Sequence, residues 1–197
     1  MKDLFTSAQY IFSATKDFSS PHHILGEIAI SGKSNVGKSS LINHLTKTKI
    51  AKISTTPGKT QTMNIFLLNK PYYLVDLPGY GYAKVPQKMK NNWATWINSY
   101  LNQSNKIVLL LQLIDARHLP TKEDIAMLKW AQDKQLKVFV IFTKIDKIQK
   151  TKQKRQVGNL INSLSDFDFS YFPYSIKDQK CRKMLLLEIE QLLEKNK

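Results

Sequence analysis

Three short segments carry the residue types that phosphate and purine chemistry needs. Gly32-Lys33-Ser34-Asn35-Val36-Gly37-Lys38-Ser39 places four residues between two glycines and follows them with Lys and Ser. Glycines let backbone N–H groups converge on phosphate oxygens, and the helix N-terminus behind them adds its positive end. In such a loop Lys38 neutralises the outer phosphates and the Ser39 hydroxyl ligates Mg²⁺. Average residue usage produces the pattern by chance on the order of once in a hundred chains of this length. Here a buried-strand pattern, Glu27-Ile28-Ala29-Ile30, precedes it, and Leu41, Ile42 and Leu45 open an amphipathic helix after it. Asp76-Leu77-Pro78-Gly79 closes a second hydrophobic run, Tyr72-Tyr73-Leu74-Val75. That is the place for a Mg²⁺-coordinating carboxylate and a glycine amide that senses a γ-phosphate. Thr143-Lys144-Ile145-Asp146 ends a third, Val138-Phe139-Val140-Ile141-Phe142. An Asp there can accept both guanine donors, N1–H and the 2-amino group, a pair that adenine lacks. The nucleotide expected is therefore GTP rather than ATP, with the Lys144 stem laid over the base.

Between the first two segments lies a polar loop of switch character, Ser54-Thr55-Thr56-Pro57-Gly58-Lys59-Thr60-Gln61-Thr62. Thr60 is assigned the second Mg²⁺-ligating hydroxyl, with Thr55, Thr56 and Thr62 as alternatives that spacing leaves open. Tyr80 follows Asp76–Gly79 where Ras-like enzymes carry a water-orienting Gln. A phenol has no amide that both accepts from water and donates to phosphate, so intrinsic turnover is expected to be slow. No arginine occurs in residues 55–62 or 76–84. The transition-state charge then needs another cation.

These loops must be positioned by alternating strands and helices. Strands are expected at Glu27–Ser31, Met63–Leu68, Tyr72–Asp76, Ile107–Asp115, Lys137–Thr143 and Phe167–Tyr171, and helices near Ser39–Lys47, Gln87–Leu101, Lys122–Gln132, Lys150–Leu164 and Cys181–Leu193. The alternation implies an α/β fold, its sheet mostly parallel with helices on both faces, and the phosphate and guanine motifs set on it make a three-layer P-loop GTPase of the Ras-like G-domain kind the expected architecture. The two runs flanking Asn69, Lys70 and Pro71 are too close for a crossover helix, so one strand is expected to be antiparallel. Residues 26–197 form the expected domain. Residues 1–25, with Tyr10, Ile11, Phe12 and the breaker group Ser19-Ser20-Pro21, are expected to pack on it as an N-terminal segment.

The chain has 197 residues, one cysteine, and 30 Lys+Arg against 15 Asp+Glu, a formal net charge of +15. This length suits one well-filled core. A lone Cys181 makes neither an internal disulfide nor a metal site, which suits a reducing cytoplasm. The apolar run Ile107–Ile114 is far shorter than the roughly 20 residues of a spanning helix, and the first residues do not read as a secretory signal. The excess of positive charge favours a polyanionic partner or reflects solvated lysines. The run Lys144, Lys147, Lys150, Lys152, Lys154 and Arg155 contains Asp146 as its only acid and is the best RNA-contacting candidate. Lys84, Lys88 and Lys90 follow the second switch and could sense nucleotide state. Trp93, Trp96 and Tyr100 recur at a spacing that suits a buried helix face better than a base-stacking platform. His22, His23, His44 and His118 show no spacing for a metal or a triad.

GKSNVGKSSLIN, TTPGKTQTMN, DLPGYGYAKV and TKID together resemble the EngB (YihA/YsxC) family of bacterial GTPases, P-loop G domains of the TRAFAC class, over nearly the whole chain from about Gly26. PGKTQ with DLPGYGYA is more specific than the P-loop alone. The resemblance implies nucleotide contacts from Gly32, Lys33, Ser34, Asn35, Val36, Gly37, Lys38 and Ser39, and from Gly58, Lys59, Thr60, Gln61 and Thr62. It implies further contacts from Asp76, Leu77, Pro78 and Gly79, from Thr143, Lys144, Ile145 and Asp146, and from a last base loop at Tyr174, Ser175 and Ile176. Mg²⁺ falls to Ser39 and Thr60, and catalysis to Lys38, Thr60 and Asn35. Asn35 is similar to the P-loop Asn of K⁺-stimulated GTPases, which makes K⁺ an expected activator. Thr143 stands where most GTPases have Asn, so a hydroxyl must brace the site in place of an amide. Ile176 stands where a smaller residue is commoner.

Two functions are compatible with these residues. One is a cytoplasmic, monomeric GTPase that binds GTP and GDP, docks on the large ribosomal subunit and its rRNA during assembly, and supports growth, cell division and septation. The other is a nucleotide-regulated binding module acting on division or signalling proteins, with hydrolysis incidental.

Overall fold

The computed structural model describes residues 4–14, 23–52, 62–69, 72–81, 99–102 and 104–194. Within them seven strands form one sheet: β1 (Gln9–Ala14), β2 (Gly26–Gly32), β3 (Met63–Leu67), β4 (Tyr72–Asp76), β5 (Ile107–Asp115), β6 (Val138–Thr143) and β7 (Ser170–Pro173). Their order across the sheet is β1-β3-β4-β2-β5-β6-β7. β2, β4, β5, β6 and β7 pair in parallel, whereas β3 runs antiparallel to both β4 and β1. A single reversed strand therefore interrupts an otherwise uniform direction, as the short Asn69–Pro71 connection requires.

Alternate side chains of the central strands feed two cores. Ile28 and Ile30 of β2, Leu109 and Leu111 of β5, and Phe139 and Ile141 of β6 pack with Leu41 and Leu45 of α1 (Lys38–Thr46) and with Leu185 and Ile189 of α4 (Gln179–Glu194). The intervening residues, Ala29, Leu110, Val140 and Phe142, pack on the opposite face. There they meet Met127 and Leu128 of α2 (Lys122–Asp133) and Leu160 of α3 (Lys150–Asn162). Helices thus cover both faces, and every residue of β2 is buried, which is why the strands read as continuous apolar runs.

Glu27 is a buried charge within this frame. The Glu27 carboxylate in β2 accepts from the Tyr100 hydroxyl at 2.6 Å and from Ser104 Oγ at 2.8 Å, so its burial is compensated. Tyr100, expected on a helix face, is indeed buried in a short helical stretch at 99–102. Trp93, Trp96, Lys84, Lys88 and Lys90 lie outside the described residues.

Two elements differ from the sequence expectation. β7 occupies Ser170–Pro173 rather than Phe167–Tyr171. Phe167 belongs to the turn that ends α3, its N–H bonded to the Leu164 carbonyl at 3.0 Å, and its ring packs on the core. The aromatic run is thus a packing signal rather than a strand signal. β1 has no counterpart among the expected strands. It joins the edge of the sheet beside β3, with a register shift between Tyr10 and Phe12. Most of its residues are exposed, so it lacks the buried periodicity that marks the other strands.

Candidate functional site

The chemistry-bearing segments among the described residues lie at the carboxyl edge of the sheet. The P-loop follows β2, Asp76 ends β4, Asp115 ends β5, Thr143 ends β6 and Tyr174 follows β7. Because β2 connects toward β4 on one side and lies beside β5 on the other, this edge opens a crevice of the kind in which α/β sheets hold ligands. β3, being reversed, brings its first residues to the same edge: Asn64 pairs with Asp76, and Thr62 directly precedes β3. Gly58, Lys59, Thr60 and Gln61, with Thr55 and Thr56, lie outside the described residues.

The P-loop conformation follows from its composition. Gly32 adopts φ 155°, and a Cβ there would stand 2.8 Å from the Leu113 carbonyl oxygen. Only glycine suits both constraints. Leu41 N–H closes the first turn of α1 on the Gly37 carbonyl at 2.8 Å, so the amides of Lys38, Ser39 and Ser40 precede the first intrahelical donor and are free at the helix N-terminus, where an anion is favoured. Ser34 and Val36 direct their amides elsewhere, to the carbonyls of Tyr80 and Lys33 at 2.8 and 3.0 Å.

Two hydrogen bonds brace this loop from β6. The Thr143 hydroxyl donates to the Val36 carbonyl at 2.8 Å, and Lys144 Nζ donates to the Asn35 carbonyl at 2.6 Å. Asn35 and Lys144 both occupy the left-handed region, with φ of 62° and 60°, a conformation costly for side-chain-bearing residues and held only where neighbours over-determine it. Lys144 also donates to Asp115 Oδ2 at 2.9 Å, and Arg117 grips the same carboxylate through Nε at 2.9 Å and Nη2 at 2.7 Å. Burial pushes the Asp115 carboxyl up, but the hydrogen bonds from Arg117 and Lys144 outweigh it and hold the group well below the usual carboxylate range.

The base-side loops are similarly joined. The Ile145 amide donates to the Tyr174 carbonyl at 3.2 Å, and the Ser175 hydroxyl donates to Asp146 Oδ1 at 3.0 Å. Lys177 Nζ stands 3.6 Å from Asp146 Oδ2. Ile176 is exposed. The Tyr174 side chain is buried in the core, its hydroxyl 2.7 Å from His44 Nδ1 on α1. Burial, then the neighbouring Arg182 charge, lowers the His44 pKa, which favours the neutral imidazole as a structural partner of Tyr174. Arg182 closes the C-terminal end of α1 by donating from Nε to the His44 carbonyl at 2.8 Å, where the helix dipole favours a cation.

Asp76 is buried beside Ile30, with the Leu77 amide bonded to the Ile30 carbonyl at 3.0 Å. Burial raises its pKa, against the charge of Lys38 and a hydrogen bond from Asn64. Its Oδ1 has no hydrogen-bond partner among the described residues. A buried carboxylate oxygen left over beside Lys38, with the Ser39 hydroxyl at the same helix end, suits a hard oxygen-seeking cation such as Mg²⁺. Sequence reasoning did not single out Asp115, Arg117, Asp124 or Gln112. The signal for Asp115 was a charged residue ending a parallel strand, at the edge where ligands bind.

Residues 27–144 match the model of the family described as 50S ribosome-binding GTPase. A probable GTP-binding protein EngB of Lactobacillus helveticus (strain DPC 4571) is 46% identical over 169 residues, 85% of this chain and 86% of its own length. One from Caldanaerobacter subterraneus subsp. tengcongensis is 40% identical over 190 residues, 96% of this chain and 98% of its own. The crystal structure of a probable GTP-binding protein engB superposes with a TM-score of 0.71 at 21% identity, covering 86% of this chain and 99% of that one. A point variant of Aquifex aeolicus Era bound to GDP·AlF4⁻ superposes with a TM-score of 0.65 at 25% identity, over 82% of this chain and 56% of that one.

The Asp115 cluster has a pH signature. A carboxyl whose folded pKa is depressed contributes stability above its unfolded pKa of about 3.9, and that contribution is lost as pH falls toward the folded value. Asp115→Asn is expected to lower the urea midpoint at pH 6–7, and the deficit is expected to shrink as pH is lowered from about 5 toward 2. A deficit that stays constant over that range would contradict the cluster.

Proposed function

Because this chain belongs to the EngB family of GTP-binding proteins, P-loop GTPases that convert GTP and water to GDP and phosphate, we propose that it is a slow molecular timer in assembly of the large ribosomal subunit. It docks on the immature particle with GTP bound, leaves after hydrolysis, and through that step supports growth, septation and cell division. The observation that carries this reading is the convergence of the P-loop, Asp76 and the Thr143–Asp146 loop on one crevice, with the P-loop hydrogen-bonded to Thr143 and Lys144.

In this reading Gly32–Ser39 wrap the phosphates, and Lys38 neutralises the outer ones. Asp76–Gly79 flank the terminal phosphate, with the Gly58–Thr62 loop completing that side. Asp146 accepts the guanine N1–H and 2-amino protons, Lys144 and Ile145 line the base, Thr143 braces the loop, and Tyr174–Ile176 close the far side. Ser39 and Thr60 would hold Mg²⁺, with Asp76 behind them, and the ion would supply positive charge to offset that of the phosphates. Tyr80 provides no water-orienting amide, so unassisted turnover is slow. Asn35 would hold K⁺ beside the phosphates, where the cation would supply the charge that no arginine of residues 55–62 or 76–84 provides. Residues 26–197 act as one G domain, and residues 1–25 extend it.

The polyanionic partner is argued from charge placement. Lys150, Lys152, Lys154 and Arg155 are all exposed on α3, whose first turn holds no acidic residue. Lys150 and Lys152, in that first turn, oppose the helix dipole, at a cost of about 0.3–1 kcal/mol each. Such a placement does not serve folding, and it suits contact with rRNA phosphates. No helix of the described residues is long and apolar enough to cross a membrane. A monomer in the cytoplasm is the working state.

The test of ribosome docking is sedimentation with GTP, GDP and a non-hydrolysable GTP analogue. Co-migration with large-subunit particles is expected with the analogue at low salt. It is expected to weaken on raising salt and on reversing Lys152, Lys154 and Arg155 to Glu. Absence from ribosomal particles in every nucleotide state at low and moderate salt would remove the ribosomal reading. Turnover is expected to be on the order of tenfold faster in K⁺ than in Na⁺ at equal ionic strength, with the difference lost in Asn35→Ala. Equal rates in both salts would dismiss K⁺.

A further inference from the structure

Tyr80 occupies the position after Gly79 and is held at both ends. Its carbonyl accepts the Ser34 amide at 2.8 Å, forming an isolated bridge between the P-loop and the segment after β4. Its phenol donates to Asp124 Oδ1 and accepts from Gln112 Nε2 at 2.5 Å. Gln112 also donates to Asp124 Oδ1 at 3.0 Å. The Asp124 carboxylate is itself immobilised, for its Oδ2 accepts the Thr121 amide at 2.7 Å and the Thr121 hydroxyl at 2.8 Å in the capping box of α2.

Three polar side chains thus meet in a place where apolar ones would pack. Gln112 interrupts the apolar β5 and is fully buried, and Asp124 is 3% exposed. Burying such groups is costly unless they find partners; the phenol, Gln112 Nε2 and both Asp124 oxygens find them, with Gln112 Oε1 left without one among the described residues, and these bonds fix one arrangement. The arrangement fixed here is that of Gly79. A methyl group on Gly79 would stand 3.1 Å from Lys38 Nζ and 3.1 Å from the Ser34 amide nitrogen. Gly79 therefore lies directly against the lysine assigned to the outer phosphates, and the residue that follows it is pinned from both sides.

We infer that Tyr80 is a positioning residue for the third phosphate: locked on Asp124 and Gln112, it holds Gly79 at the distance from Lys38 that accommodates a γ-phosphate. This rests on the assignment of the crevice to a guanine nucleotide. GDP has no group at that position and is indifferent to the lock. GTP depends on it. The phenol thereby has a role in selecting the triphosphate state, although it offers no amide to orient water.

The experiment compares the affinities of GDP and of a non-hydrolysable GTP analogue for wild type, Tyr80→Phe and Asp124→Asn by equilibrium titration. Tyr80→Phe keeps the ring and removes only the hydroxyl. It is expected to lose about fivefold to tenfold in affinity for the analogue, while GDP affinity stays within about twofold. Asp124→Asn retains an acceptor for the phenol at similar volume and is expected to show a smaller loss in the same direction. An unchanged ratio of the two affinities in both variants would overturn the inference, and so would an equal fall for GDP and analogue, which is what a merely structural role gives. A wild-type chain that binds neither nucleotide would overturn the assignment of the crevice, and the positioning role with it.

Discussion

The geometry of the carboxyl edge depends on the hydrogen bond from the Thr143 hydroxyl to the Val36 carbonyl. It is buried, it spans 107 residues of sequence, and it joins the end of β6 to the loop that follows β2. Its net worth is only about 1 kcal/mol, but leaving the buried carbonyl without a donor costs more. With the Lys144–Asn35 contact beside it, it holds two left-handed residues in conformations that neither would keep alone. The loops at Gly32–Ser39 and Thr143–Asp146 are consequently joined, and in the proposed reading the phosphate and base sides of the site act as one rigid unit. The other end of α1 is held as firmly, by Arg182 on its last carbonyls and by the His44–Tyr174 pair.

Three aspartates at this edge are buried to different degrees and compensated in different ways. Asp115 is satisfied by two cations, Arg117 and Lys144. Asp124 is satisfied by neutral donors, from Thr121, Tyr80 and Gln112. Asp76 retains one oxygen without a partner among the described residues. A buried carboxylate oxygen without a donor is unfavourable, and in the proposed reading that difference separates Asp76, beside the phosphates, from the other two, which are tied into the scaffold. The basic excess of the chain is distributed differently. Among the described residues it lies largely on exposed surfaces such as α3, where it contributes little to the fold.

The central strands were legible because strands covered on both faces read as apolar runs, and the loops at their ends carry chemistry in short local patterns. Glu27–Ser31 lies within β2, Tyr72–Asp76 coincides with β4, and Ile107–Asp115 coincides with β5. The edge strand β1 was not legible: Tyr10, Ile11 and Phe12 are all exposed, and pairing with β3 rather than periodicity makes them a strand. Phe167 and Phe169 suggested a strand three residues too early because aromatic residues also fill helix ends. The Asp115–Lys144 and Tyr80–Asp124 contacts join residues 29 and 44 positions apart. No local pattern encodes such partnerships, since only the sheet order brings them together.

The most direct test of the rigid unit is the rate at which GDP leaves Thr143→Val, a substitution that keeps the volume and removes the donor to Val36. GDP is expected to dissociate on the order of tenfold faster than from wild type, with the preference for guanine over adenine nucleotides retained, because Asp146 still faces the base. A dissociation rate equal to that of wild type would show that the P-loop holds its conformation without the bond, and would contradict the dependence of the site on it.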